Sequence, residues 1–297
     1  MERGQGYPNR SRWSTFPSIP CNKNIKGNCA FRKRTSMDDW HIQLKPFLGG
    51  LGDMPQEPRK GRDVYNGYIR GCGLKYGNLK DLCFADPVFT EAYELATAPS
   101  PNGKPRTVVS PLNLINIFTI LRLNLAPRQS PGHIVEFGAL RGGSAIFMAF
   151  AAKTLLPGTQ VISFDTFAGF PETNAEIDVY REGSFEKVDL DELRGHTASL
   201  GLNNLTFIEG RFEDTLPGAL KEIGRVCLAH IDCDVYDAVV YSYEQVKPYL
   251  GEGAYLIFDD PLVPSCIGAF EAVEEYLIRR DGLHAEQVFP HMVFRSP

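Results

Sequence analysis

The chain has 297 residues, 43% of them hydrophobic and 23% charged, with a formal net charge of −5. A chain of this size buries roughly 75% of its unfolded-state surface, so it folds without disulfides or a structural metal. The composition excludes a largely disordered chain, and no stretch approaches the ~18 apolar residues of a membrane-spanning helix.

The first 20 residues carry no apolar core of a signal peptide, so none is expected. Residues 1–50 hold nine Lys or Arg against three Asp or Glu, leaving −11 on the remainder. The basic character is thin, with Arg32, Lys33 and Arg34 the only run of three. It reads as a solvated extension rather than a nucleic-acid-binding arm, and no nucleic-acid partner is expected. Residues 1–80 are rich in Gly, Pro and Asn and show little periodicity. The seven cysteines are Cys21, Cys29, Cys72, Cys83, Cys227, Cys233 and Cys266. An odd, scattered set points to free thiols in a reducing, cytoplasmic setting. Cys227 and Cys233 flank His230 but lack CxxC spacing, so a buried strand is the stronger reading than a zinc site.

Asp86-Pro87 is an N-cap followed by a proline at the first helical position, and VFTEAYELATA continues that helix until PSPNGKP breaks it. A second helix is predicted over residues 110–126, with Leu112, Ile115, Ile117, Phe118, Ile120, Leu121 and Leu125 on a broad apolar face. The rhythm then changes to strand and helix in alternation. HIVEFG is a strand, GSAIFMAFAAKTLL a helix, VISFD a strand, then a loop, then LTFIEG as a strand. A short helix near LPGALKEIG follows, then VCLAHIDCD, DAVVYSYEQVKPYL, AYLIFDD and FEAVEEYLIRR. HAEQVF and HMVFRS read as a terminal hairpin. This is an α/β pattern with a mainly parallel sheet. The division expected is an N-terminal extension over residues 1–105, serving as a lid or subunit contact, and a catalytic domain over residues 106–297.

Chemistry gathers at the strand ends. The segment Val135 to Ser144 turns from the first strand into its helix through Gly138, Gly142 and Gly143. Glycines permit close approach of a ligand, and the free amides of the next helix favour a carboxylate or phosphate. The spacing is neither GxGxxG nor a P-loop. Asp165, ending the second strand, can accept both hydroxyl hydrogens of a ribose. Phe212 can pack near a planar base, and Glu213 can accept from an exocyclic amine. Asp232 and Asp234 follow one strand, and Asp259 and Asp260 the next. Four carboxylates on one rim repel one another unless a cation neutralises them, most simply magnesium. Asp232, Asp259 and Asp260 supply its first shell. Asp234, two residues on in an extended chain, is left as a base. His230 and His133 read as structural, and Tyr236 as packing at the rim. The charged segment Pro171 to Leu193 reads as a lid, with Arg181 and Phe185 as its candidate contacts.

The segments VEFGALRGGS, FDTFAGFP, EGRFEDTLP, HIDCDVYDA and YLIFDD stand in the order seen in the TylF/MycF-like, or macrocin, O-methyltransferases, which include NovP-type sugar methyltransferases. The chain resembles that family over roughly residues 110–297. The resemblance implies a class I methyltransferase fold, a mostly parallel seven-stranded sheet with helices on both faces and a C-terminal antiparallel hairpin. It implies S-adenosylmethionine as methyl donor and Mg2+ as metal. By carry-over, Glu136, Gly138 and Ser144 surround the methionine part, Asp165 holds the ribose, and Phe212 and Glu213 hold the adenine. Asp232, Asp259 and Asp260 are the metal ligands, and Asp234 is the general base. The expected acceptor is a small hydroxylated natural product, glycosylated ones included, with vicinal oxygens. The expected assembly is a homodimer. Two other readings remain at this point: a metal-dependent hydrolase built on the same acids, and an inactive methyltransferase fold used as an interaction module.

Overall fold

The computed structural model describes residues 83, 85–128, 132–185 and 187–297. The basic arm over residues 1–50, the irregular stretch to residue 80, and Cys21, Cys29 and Cys72 lie outside the described residues.

Helix α1 (Pro87–Thr97) starts as its sequence requires, with the Asp86 carboxylate accepting from the Val88 amide at 2.9 Å. Helix α2 (Pro111–Thr119) is capped by Ser110 and runs on into a wider π-helical turn over Ile120–Leu125. Of the apolar face predicted for it, Leu112 is the exception, at 37% exposure; the others are buried.

The sheet contains seven strands in the order β3-β2-β1-β4-β5-β7-β6. Strands β1 (His133–Phe137), β2 (Val161–Asp165), β3 (Leu205–Glu209), β4 (Val226–Ile231) and β5 (Leu250–Phe258) are mutually parallel. Strand β7 (Met292–Arg295) pairs antiparallel with β5, and β6 (Ala285–Gln287) pairs antiparallel with β7. The expected terminal hairpin is therefore part of the main sheet, with its second strand on the inside. Every residue of β4 is buried, as a central strand covered on both faces must be.

Crossover helices are α3 (Gly143–Leu155), α4 (Leu190–Ser199), α5 (Phe212–Ile223), α6 (Tyr236–Val246) and α7 (Ile267–Ala272), the last continuing as a π-helix to Arg280. Two helices differ from the expected pattern. Helix α4 occupies part of the expected loop between β2 and β3, nucleated by Asp189, whose carboxylate accepts from the Glu192 amide at 3.1 Å. Helix α5 begins at Phe212, earlier than predicted, and carries Pro217 inside it.

Two apolar cores sandwich the sheet. On one face Phe89 of α1, Phe118 of α2 and Phe147 of α3 meet edge-to-face, with ring centroids 5.2 to 6.5 Å apart. On the other, α5, α6 and α7 cover Phe137, Phe164 and Phe258. The chain runs outward from β1 to β2 and β3, then returns to β4 on the other side. The carboxyl ends of β1 and β4 thus flank a topological switch point, where open α/β sheets collect ligands.

Candidate active site

A cleft of about 450 Å3 opens over that switch point. Its floor depends on Gly138, where the chain leaves β1 with φ 103°. A Cβ there would sit 1.8 Å from the Asp232 carbonyl oxygen, so β1 and β4 can splay at this spacing only around a glycine. A second close approach presses Gly143 against the segment before α2: a Cβ would lie 2.4 Å from the Thr107 amide. Residues Arg106 to Val109 thereby wall the end of the cleft where α3 begins, and Ser144 faces the same space.

Asp165 ends β2 in the cleft wall. Its carboxylate accepts from the Leu140 amide at 2.8 Å and from the Phe167 amide at 2.7 Å, which fixes its plane. Burial raises its pKa, while the backbone donors oppose the shift. Phe212 opens α5 with its ring edge-on to Phe137 at 5.9 Å, and both Phe212 and Glu213 line the cleft. Glu213 is half exposed and lies 3.4 Å from Arg211 Nε. Glu136 is placed differently. It is fully buried and does not line the cleft; it accepts from Ser163 Oγ at 2.5 Å and from His230 Nδ1 at 3.1 Å. Ser163, Glu136 and His230 are direct register partners across β2, β1 and β4, so parallel pairing alone lines them up.

The acids come together. Asp232, Asp259 and Asp260 each bring an oxygen within 4.8 Å of the others. Burial, then the charge of neighbouring aspartates, pushes Asp232 and Asp260 well above the usual carboxylate range. Burial acts on Asp259 in the same direction, but donors from His230 and His291 outweigh it and hold its pKa low. Asp234 is not in extended chain as expected: its φ is 59°, and its amide donates to Asp260 Oδ2 at 2.9 Å. That turn still leaves Asp234 lining the cleft, with Cys266 Sγ donating to its Oδ1 at 3.2 Å. His230 is fully buried, its Nε2 3.5 Å from Asp259.

The segment after β2 forms the outer wall. Phe170, Tyr180 and Phe185 pack together with centroids 5.2 to 5.8 Å apart, and all three line the cleft. Arg181 does not; its guanidinium donates to the backbone of Asp178 and Tyr180. The wall is pinned by Asp178, which accepts from the first amide of α6, that of Tyr236, at 2.9 Å. The Tyr236 hydroxyl turns away from the cleft to Glu275 at 2.5 Å.

The macrocin-O-methyltransferase (TylF) family model matches residues 118–284. The chain belongs to the TylF family. It is 32% identical over 156 residues to 8-demethyl-8-(2,3-dimethoxy-alpha-L-rhamnosyl)-tetracenomycin-C 4'-O-methyltransferase of Streptomyces olivaceus, covering 49% of this chain and 58% of that one. It is 31% identical over 158 residues to mycinamicin III 3''-O-methyltransferase of Micromonospora griseorubida, covering 49% and 60%. The matches thus span under two thirds of these relatives. Among solved structures, the O-methyltransferase NovP superposes with a TM-score of 0.57 at 23% identity, over 69% of this chain and 87% of NovP. The fold is that of a class I S-adenosylmethionine-dependent methyltransferase.

Relative to the TylF match, the acids and the glycine turn fall inside it, whereas several lining and supporting residues fall outside. Arg106 to Val109, Asn113 and His291 were missed by the sequence reading. Asn113 had a weak signal, lying three residues after the N-cap Ser110 and hence on the first turn of a helix. His291 had none, since only the pairing of β7 with β5 brings it to Asp259.

Proposed function

We propose that this chain is a Mg2+-dependent O-methyltransferase that moves the methyl group of S-adenosylmethionine to a hydroxyl of a small natural-product or sugar-like acceptor, one with a vicinal second oxygen. The observation that carries the reading is the convergence of Asp232, Asp259 and Asp260 beside the glycine turn and cleft. The tetracenomycin and mycinamicin relatives are named as 4'-O- and 3''-O-methyltransferases, the first of a rhamnosyl compound, which supports an oxygen acceptor on a glycoside.

The donor set fits magnesium: three carboxylates, those of Asp259 and Asp260 buried and that of Asp232 half-buried, offer hard oxygens only, and their mutual repulsion favours a divalent cation. The cleft fits the methyl donor: Gly138 and Ser144 take its methionine end, Asp165 its ribose, and Phe212 and Glu213 its base. When bound, the donor supplies an electrophilic methyl group, and the metal supplies positive charge that orients acceptor oxygens and lowers a hydroxyl pKa. Asp234 would accept the proton of the reacting hydroxyl on its carboxylate as that oxygen bonds to the methyl carbon, the carbon–sulfur bond breaks and S-adenosylhomocysteine leaves. Cys266 keeps Asp234 oriented by its hydrogen bond to Oδ1. Phe170, Tyr180 and Phe185 exclude water from the acceptor side.

Calorimetric titration with S-adenosylhomocysteine should show saturable binding; a folded protein that binds none overturns the reading. Asp234→Asn should retain that binding and lose about 10²- to 10⁴-fold in turnover on any accepted hydroxyl. Undiminished turnover would remove Asp234 from the base role.

A further inference from the structure

The two flanks of the family-matched stretch converge on one carboxylate oxygen. Asp259 Oδ1 accepts from Asn113 Nδ2 at 2.7 Å and from His291 Nδ1 at 3.1 Å, and His230 Nε2 stands 3.5 Å away. Asn113 precedes the matched residues 118–284 and His291 follows them. Among the described residues, no hydrogen bond reaches the other oxygen, Oδ2. A carboxylate oxygen has two lone pairs, so the two donors Asn113 and His291 on Oδ1 leave it nothing for a cation. Oδ2 is the atom that remains for one.

The orientation of His291 is itself determined. Its Nε2 lies 2.9 Å from Asn116 Nδ2, and the same amide nitrogen lies 2.9 Å from Gln287 Oε1. An amide nitrogen only donates, so Nε2 accepts and the ring proton sits on Nδ1, aimed at Asp259. His291 is fully buried. Outer hydrogen bonds of this kind fix the rotamer of a ligating side chain.

We propose that His291, held by Asn116, is a positioning residue which, together with Asn113, saturates Asp259 Oδ1 and presents Oδ2 alone to the metal. The proposal rests on the magnesium reading above. Manganese serves as the probe, titrated into the full chain with no methyl donor present and followed by calorimetry and by the electron paramagnetic resonance of the bound ion. His291→Leu and Asn113→Ala should each weaken Mn2+ binding about 10- to 100-fold. His291→Asn, which keeps an N–H donor near the place of Nδ1, should restore it. Metal-free affinity for S-adenosylhomocysteine should be unchanged in all three, which separates lost positioning from lost folding. Wild-type Mn2+ affinity in a folded His291→Leu or Asn113→Ala protein overturns the proposal, as does a loss that His291→Asn leaves unrepaired. If His291→Leu does not fold, Asn113→Ala decides alone. A wild-type chain that binds S-adenosylhomocysteine but no Mn2+ overturns the magnesium reading itself, and the proposal with it.

Discussion

Gly138 does two jobs that no other residue can do together. Its φ of 103° is open to glycine and strained for any side chain, and its missing Cβ makes room for the Asp232 carbonyl 1.8 Å from where that atom would lie. The strained backbone alone costs about 1–3 kcal/mol in other residues. Gly138→Ala should therefore lower the melting temperature and weaken S-adenosylhomocysteine binding, both readable in one calorimetric series; a variant with wild-type affinity would show that the turn does not shape the cofactor end. At this scale the acids were legible because each closes an apolar strand: Asp165 after VISF, Asp232 after VCLAHI, Asp259 and Asp260 after AYLIF. Glu136 was harder. It lies inside β1, one residue before its end, and the family resemblance set it beside the methionine group, yet in-register Ser163 and His230 draw its carboxylate into the sheet.

At the level of elements, helix termini carry most of what sequence can specify. Asp86 caps α1 and also pairs with Arg122 at 2.9 Å, tying α1 to the turn after α2. Asp86→Ala should cost about 1 kcal/mol through the cap alone, measured as a lower urea midpoint with an unchanged slope. The strands were readable as short β-branched and aromatic runs. Helix α4 was not, although Asp189 and Glu192 stand at capping-box spacing, because its LDELRGHTAS is too polar to show an apolar face. The start of α5 was hidden differently: Pro217 suggested a helix beginning near it, whereas the chain tolerates that proline one and a half turns in. The pinning of the outer wall through Asp178 to the Tyr236 amide joins residues 58 positions apart, and no local pattern announces such a contact.

Over the whole molecule, the cleft draws on β1, β2, β4, β5, the starts of α3 and α5, and the segment ahead of α2. A ligand seated there binds the folded chain and has no counterpart site in the unfolded one. S-adenosylhomocysteine at 100 times its dissociation constant should thus raise unfolding free energy by about 2.7 kcal/mol. Denaturant titrations with and without the ligand measure this directly, and coincident curves would place the ligand elsewhere or nowhere. The topology was legible in advance because strand and helix alternate and only right-handed crossovers are available to a parallel sheet. What sequence could not express is the insertion of β7 between β5 and β6, since both strands of that hairpin look alike in composition.

That insertion has a consequence in time. On the ribosome Asp259 emerges 32 residues ahead of His291. The five parallel strands can already be paired while Asp259 still lacks one of its donors. Only when β7 slides in beside β5 does the imidazole arrive. Nascent chains stalled before that step would carry a recognisable methyltransferase sheet with a loosely aimed carboxylate, and, on the magnesium reading proposed above, their cation affinity would rise about 10- to 100-fold with the final docking event rather than grow with the sheet.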